Sequence, residues 1–230
     1  MNGIDLILFD CDGVLVDSEI IAAEVEASLL TEAGHPISAE ELAVRFAGLT
    51  FKDMLLTIEK EAGVPFSASL IDKVDGLLDK RLAAVKAIDG IAATLARLTL
   101  PKGVCSNSTT PRLDLMLSAT GLKGHFGTHI YSARDLGDDR VKPKPDIYLH
   151  GARQFGIDPS RVLVVEDSVH GVHAGRAAGM RVVGFTGASH TYPGHADRLT
   201  DAGAETVVSR MSMLPGVIAA LSEWQESLSA

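Results

Sequence analysis

The stretch Ile4-Asp5-Leu6-Ile7-Leu8-Phe9-Asp10-Cys11-Asp12-Gly13 opens as a short, almost wholly apolar run and closes on two carboxylates and a glycine. Apolar residues at consecutive rather than alternate positions read as a strand buried on both faces, the situation inside a parallel sheet. Similar runs recur at Gly103 to Cys105, Val162 to Val165, Val182 to Phe185 and Thr206 to Val208, with helical segments between them. That alternation predicts an α/β fold built on a parallel sheet. Helix ends are legible too: Pro111 suits a first helical turn, and Gly121, Gly156 and Gly179 stand where left-handed caps are expected.

From Asp17 to Lys86 the pattern is helical only, with no β-rich run. The expected organisation is therefore a core domain from residues 1–16 and 87–230 with a helical domain, 17–86, inserted after the first strand. Ser38 followed by Glu41 is a capping box and Thr50 with Asp53 a weaker one, while Ile21, Val25 and Leu29 recur at helical spacing. A segment of this size is too small for a large core of its own, so it should lean on the sheet domain or move against it. The second crossing between the two reads Ala87-Ile88-Asp89-Gly90.

The 230 residues are 46% hydrophobic and 22% charged, the balance of a soluble globular protein. A formal charge of −9 without a basic patch argues against a nucleic-acid partner. No apolar run reaches the roughly 18 to 20 residues that span a bilayer, and Met1 to Asp5 lacks the basic start of a secretory signal. The expectation is a cytoplasmic protein, monomeric or a weak homodimer, with no membrane partner. Cys11 and Cys105 have neither zinc-binding spacing nor company enough for a disulfide scaffold, and read as buried inert thiols.

In an open parallel sheet the crevice lies beyond the carboxyl ends of the strands. Those ends carry Asp10-Cys11-Asp12, Ser106-Asn107-Ser108 and Glu166-Asp167-Ser168, and Lys142-Pro143-Lys144-Pro145-Asp146 leads into a helix beside them. Asp10 and Asp12 would share a face in a continuing strand and repel, unless a hard divalent cation sits between them and Asp167. Oxygen ligands suit Mg²⁺ better than zinc. Lys142 then offers a point charge to a phosphate oxygen, Ser106 a hydroxyl, and the chain after Asn107 backbone N–H donors. Glu166 is either part of the metal site or a structural acid in a salt bridge. His170 and His173 read as an exposed helical face, and His190 and His195 lie in a glycine-rich loop that nothing in the sequence places.

The run from Phe9 to Ser18 resembles the first motif of the haloacid dehalogenase superfamily of phosphohydrolases. Ser106 resembles its second motif, Lys142 its third, and Glu166-Asp167-Ser168 with Gly171 its fourth, all in order along the chain. The helical stretch resembles the cap of the phosphoglycolate phosphatase and β-phosphoglucomutase branch, and the whole is similar to its sugar-phosphate phosphatases of the 6-phosphogluconate type. The resemblance implies a Rossmann-like core with an inserted all-helical cap, Mg²⁺ as cofactor and a small phosphate ester as substrate. It also implies that Asp10 attacks phosphorus and Asp12 gives and then takes the proton. The metal would be held by Asp10, the Asp12 backbone carbonyl and Asp167, with Glu166 ordering its waters. Asn107 would assist at the substrate, and Gly48, Lys52 and Arg45 would stand over the leaving group. Cap hinges would lie near Leu15 to Ser18 and Ala87 to Gly90.

Three rival functions follow from the same residues. Phosphomutases of this branch resemble the chain but use a cap histidine where ungapped counting puts Ala22. A dehalogenase would lack the second aspartate, whereas Asp12 is present. A non-catalytic sensor of phospho-ligands would bind without turnover.

Overall fold

A computed structural model describes residues 3–46, 51–63 and 69–228. Its centre is a sheet of β1 (Leu6–Phe9), β2 (Lys102–Ser106), β3 (Ile130–Ser132), β4 (Val162–Glu166), β5 (Arg181–Phe185) and β6 (Thr206–Val208). All pairings are parallel and the order is β3-β2-β1-β4-β5-β6, the Rossmann arrangement, whose direction reverses between β1 and β4. Five of the six strands lie where the apolar runs predict them. β3 is the exception: three residues at the sheet edge, with Ile130 and Tyr131 half-buried, make no buried run to read.

Successive strand side chains point to opposite faces, and the core divides accordingly. Ile7, Phe9, Val104, Leu163, Val165 and Val183 pack on one face. It is covered by α5 (Ile91–Arg97), α6 (Thr110–Ala119) and α10 (Leu214–Leu228). Leu6, Leu8, Cys105, Val162, Val164 and Val182 pack on the other, under α7 (Asp146–Phe155), α8 (Val169–Ala177) and α9 (His195–Asp201). Gly156 ends α7 in the left-handed conformation at φ 67°, the geometry its place in the sequence calls for.

Between β1 and β2 the chain forms α1 (Glu19–Glu32), α2 (Ala39–Arg45), α3 (Phe51–Ala62) and α4 (Ser69–Leu82). The Ser38 hydroxyl accepts from the Glu41 N–H at 3.0 Å, as the capping box requires; Thr50 lies outside the described residues. Val25, Leu29, Leu30, Leu42, Ile58 and Val74 give these helices a small core of their own. Leu78, Leu82 and Val85 join the core of the sheet domain instead, so the helical unit leans on it through the end of α4. The two crossings run side by side: Asp17 N–H donates to Lys86 at 2.9 Å and Ile88 N–H to Leu15 at 3.0 Å.

Leu8 is wholly buried in a central strand. Leu8→Ala should lower unfolding free energy by about 2–5 kcal/mol, read as a shift of the urea midpoint at constant slope.

Candidate active site

The carboxyl ends of β1, β2 and β4 are adjacent, with Phe9 paired to both Val104 and Val165. Asp10 therefore emerges between Ser106 and Glu166-Asp167. The fourth group arrives from the turn before α7: Lys142 Nζ donates to Asp10 Oδ1 and to Glu166 Oε1, both at 2.7 Å. The lysine is 6% exposed, Asp10 8%, Asp167 4% and Glu166 not at all, which places a single ammonium among three buried carboxylates.

Burial alone would lower the lysine's pKa, but Asp10 and Glu166 outweigh it and hold the ammonium charged. Burial pushes Asp10 well above the usual carboxylate range; Lys142 opposes that and Glu166, Asp167 and Asp12 add to it. Asp167 is raised likewise, by burial and then by Glu166. Carboxylate oxygens of Asp10, Glu166 and Asp167 lie within 4.8 Å of one another. One positive charge cannot neutralise three such acids, so the cluster either holds protons or takes up a further cation. Its all-oxygen donor set suits a hard divalent ion rather than zinc.

Glu166 is the most engaged of the three. Oε1 accepts from Lys142 and from the Tyr148 hydroxyl at 2.8 Å, and Oε2 from the N–H groups of Asp167 and Ser168, each at 3.1 Å, and from Ser168 Oγ at 3.0 Å. Two glycines make room for these acids. A β-carbon on Gly171 would lie 1.7 Å from Glu166 Oε1, and one on Gly13 would lie 1.8 Å from Asp167 Oδ2. Gly13 also turns at φ 69°, where an L side chain is strained.

The strand ends at Phe9, so the Asp12 side chain does not share a strand face with Asp10 and stands outside the carboxylate cluster. It turns to three hydroxyls: Ser18 at 2.7 Å on Oδ1, with Ser108 at 2.7 Å and Ser106 at 3.2 Å on Oδ2. Asn107 fixes the lysine segment, accepting from the Lys142 N–H at 2.9 Å and donating to its carbonyl at 3.4 Å.

Sequence reasoning missed several partners. Tyr148 is a helix position with no motif, Ser108 ends a run at a strand end without a role read from it, and the two histidines are placed only by the fold, His190 in the loop after β5 and His195 at the start of α9. His190 Nε2 lies 3.2 Å from Asp167 Oδ2, and His195 Nε2 lies 2.7 Å from the Asp167 carbonyl oxygen. A carbonyl only accepts, so Nε2 of His195 carries the proton. The same loop reaches the first crossing, where the Ser189 N–H and hydroxyl both donate to Asp17.

A cleft of about 980 Å³ separates these residues from the helical unit, with Asp10, Asp12, Ser106, Asn107, Lys142 and Asp167 on the sheet side. Arg45 and Lys52 do not line it among the described residues. Arg45 pairs with Glu61 and with Glu41 and lies 5.0 Å over the Phe46 ring, while Lys52 is exposed. Gly48 lies outside the described residues. His170 and His173 are both exposed, and His170 lines the cleft. Both cysteines are buried and free, and burial pushes the Cys105 thiol up to about 12.

Fold and site together define a Rossmann-like α/β protein with a buried carboxylate cluster at the switch point of its sheet that could hold a cation. The family model "haloacid dehalogenase-like hydrolase" matches residues 7–185. A 6-phosphogluconate phosphatase of Escherichia coli (strain K12) is 30% identical over 195 residues, covering 84% of this chain and 87% of that protein. A haloacid dehalogenase-like protein of unknown function from Agrobacterium tumefaciens str. C58 superposes with a TM-score of 0.92 at 70% identity, covering 95% of this chain and 99% of that one. A family hydrolase from Deinococcus radiodurans R1, crystallised with phosphate and sodium, gives 0.83 at 36% identity, covering 96% and 97%. The chain belongs to the haloacid dehalogenase-like hydrolases and is an enzyme of their phosphatase branch.

The raised acids give a signed prediction. A carboxyl whose folded pKa exceeds its unfolded value costs the fold stability as pH climbs from the unfolded pKa, about 4, to the folded one. Metal-free protein should therefore lose thermal stability as pH rises through that range. Mg²⁺ should raise the melting temperature more at pH 8 than at pH 5, with about 2.7 kcal/mol of linkage at a hundredfold excess over Kd. Scanning calorimetry with and without Mg²⁺ at the two pH values checks it.

Proposed function

We propose that the protein is a Mg²⁺-dependent phosphatase of small phosphorylated metabolites of the sugar-phosphate type, acting in the cytoplasm through an aspartyl-phosphate on Asp10. The observation that carries this reading is the lone ammonium of Lys142 among the carboxylates of Asp10, Glu166 and Asp167 at the edge of the cleft. The phosphate bound by the Deinococcus radiodurans relative supports it.

Asp10, Asp167 and the Asp12 backbone carbonyl would hold the metal, with Glu166 behind them. When bound, Mg²⁺ supplies positive charge that offsets the excess of carboxylates and draws in a phosphate dianion. The residues of the chain do the rest. Lys142 spends two of its three N–H donors on Asp10 and Glu166, which leaves the third for a phosphate oxygen, and Ser106, whose hydroxyl donates to Asp12 at 3.2 Å, lines the same cleft. Asp10 forms the bond to phosphorus as the ester oxygen leaves. Asp12 protonates that oxygen and then takes a proton from the water that cleaves the acyl phosphate. Serine hydroxyls donate to a carboxylate or accept from an acid, so Ser18, Ser106 and Ser108 can hold Asp12 in both protonation states.

Acid–base help contributes roughly 10²- to 10⁴-fold, while phosphate monoesters demand accelerations up to ~10²¹. Positioning and charge stabilisation must supply the remainder, which is the purpose of the buried lysine and the excluded water. Residues 17–86 would act as the cap that closes over the substrate, turning about the paired crossings at Asp17–Lys86 and Leu15–Ile88. Hydrolysis is favoured over phosphoryl transfer to a second hydroxyl because Ala22, facing the cleft where the mutases resembling this chain place a histidine, offers only a methyl group.

With Mg²⁺, the protein should release inorganic phosphate from aryl and sugar phosphates, and Asp10→Asn should reduce turnover at least ~10⁴-fold while the protein keeps a single cooperative urea transition. Isomer interconversion primed by a bisphosphate, without net phosphate release, would instead establish a mutase.

A further inference from the structure

Two histidines of the sheet domain are aimed at one acid, and phosphoryl transfer uses neither. His190 Nε2 lies 3.2 Å from Asp167 Oδ2, and His195 Nε2 lies 2.7 Å from the Asp167 carbonyl oxygen. The Nδ1 atom of each ring is buried and has no hydrogen-bond partner among the described residues. A proton on Nδ1 alone would find no acceptor, so Nε2 is the nitrogen that carries one. Two orphaned buried nitrogens cost the fold stability. What the pair of rings does in return is hold a single residue at its side chain and at its backbone.

The contact is packed from several sides. Gly13 turns beside it, where a β-carbon would lie 1.8 Å from Asp167 Oδ2 and 2.9 Å from His190 Cε1. The residue before His190 is tied to the first crossing, since the Ser189 N–H donates to Asp17 Oδ1 at 3.0 Å and its hydroxyl to Oδ2. The His195 ring meets His190 edge-on with centroids 5.6 Å apart, and stacks on Tyr192 at 4.7 Å. The Tyr192 hydroxyl in turn accepts from Arg198 at 2.8 Å. The His190 side chain is 15% exposed and that of Asp167 5%, so little water competes for the bond between them.

We propose that His190 is a positioning residue of the cation site: its Nε2–H fixes Oδ2 of Asp167 and leaves the other carboxylate oxygen to the metal, while His195 holds the backbone of the same residue. This rests on the metal placement proposed above, in which Asp167 is a ligand. An aspartate ligates a cation as the carboxylate, which accepts from the imidazole and cannot donate to it. A ligating carboxylate held by such an outer hydrogen bond keeps one orientation, and loss of the partner typically weakens metal binding roughly 10- to 100-fold. The ring touches neither substrate nor metal and acts through Asp167.

The test is the Mg²⁺ affinity of metal-free protein, read by titration calorimetry in the absence of substrate. His190→Phe and His190→Ala both remove the donor, the first keeping a ring, and each should raise Kd roughly 10- to 100-fold. His190→Gln returns an N–H near the place of Nε2 and should restore most of that loss. A single cooperative urea transition identifies each variant as folded, and should His190→Phe not fold, His190→Ala and His190→Gln carry the comparison. Wild-type Kd in the variants without a donor overturns the inference. So does His190→Gln binding as weakly as they do, which would trace the loss to packing of the ring. Asp167→Asn should abolish the binding heat; full Mg²⁺ affinity in that variant would remove the metal placement itself, and the inference with it.

Discussion

One buried ammonium faces three buried carboxylates, and the rest of the site is arranged around that imbalance. Lys142 bridges Asp10 and Glu166 at 2.7 Å each, so its charge is shared between the ends of β1 and β4. A pair alone would be a structural salt bridge with little to do, because buried pairs return little more than their desolvation cost. The third acid, Asp167, leaves the cluster short of positive charge in a place where water cannot make up the difference. Affinity for a divalent ion, and through it for a phosphate dianion, follows from that shortage.

The fold supplies the geometry by simple means. At the switch point of the sheet, β1 and β4 end side by side, and their terminal acids are forced together by backbone pairing rather than by any attraction between them. Gly171 and Gly13 leave the space that Glu166 and Asp167 occupy. Tyr148 and three donors around Ser168 saturate Glu166, which fixes the lysine from behind and leaves Asp10 the less encumbered oxygen. On the opposite wall the cap adds the acids Glu19, Glu26, Asp53 and Asp75.

Much of this was legible in the residues themselves. Strands buried on both faces announce themselves by unbroken apolar runs, and the rule that function lies at their carboxyl ends brought Asp10, Asp12, Ser106, Glu166 and Asp167 into view before any coordinates. β3 escapes because two half-buried apolar residues and a serine at the sheet edge produce no run. The resemblance of the loop around Gly48 puts Lys52, with Arg45 beside it, over the leaving group, but Arg45 is satisfied by its own neighbours in the cap, a contact between α2 and α3 that spacing does not show. His190 reaches Asp167 from the irregular loop after β5 and His195 from the first turn of α9, a placement that no pattern in the sequence gives. The acidity of the cap wall depends on which face of α1 turns inward, and α1 is too evenly apolar for periodicity to decide it.

The most direct test is a crystal structure of the protein soaked with Mg²⁺ and beryllium fluoride, a mimic of a phosphoryl group on a carboxylate. The account predicts a BeF₃ adduct on Asp10, an ion between Asp10 and Asp167, and the Lys142 ammonium turned to a fluorine. Density on Asp12 or another acid instead, or a metal bound away from Asp10 and Asp167, would contradict it.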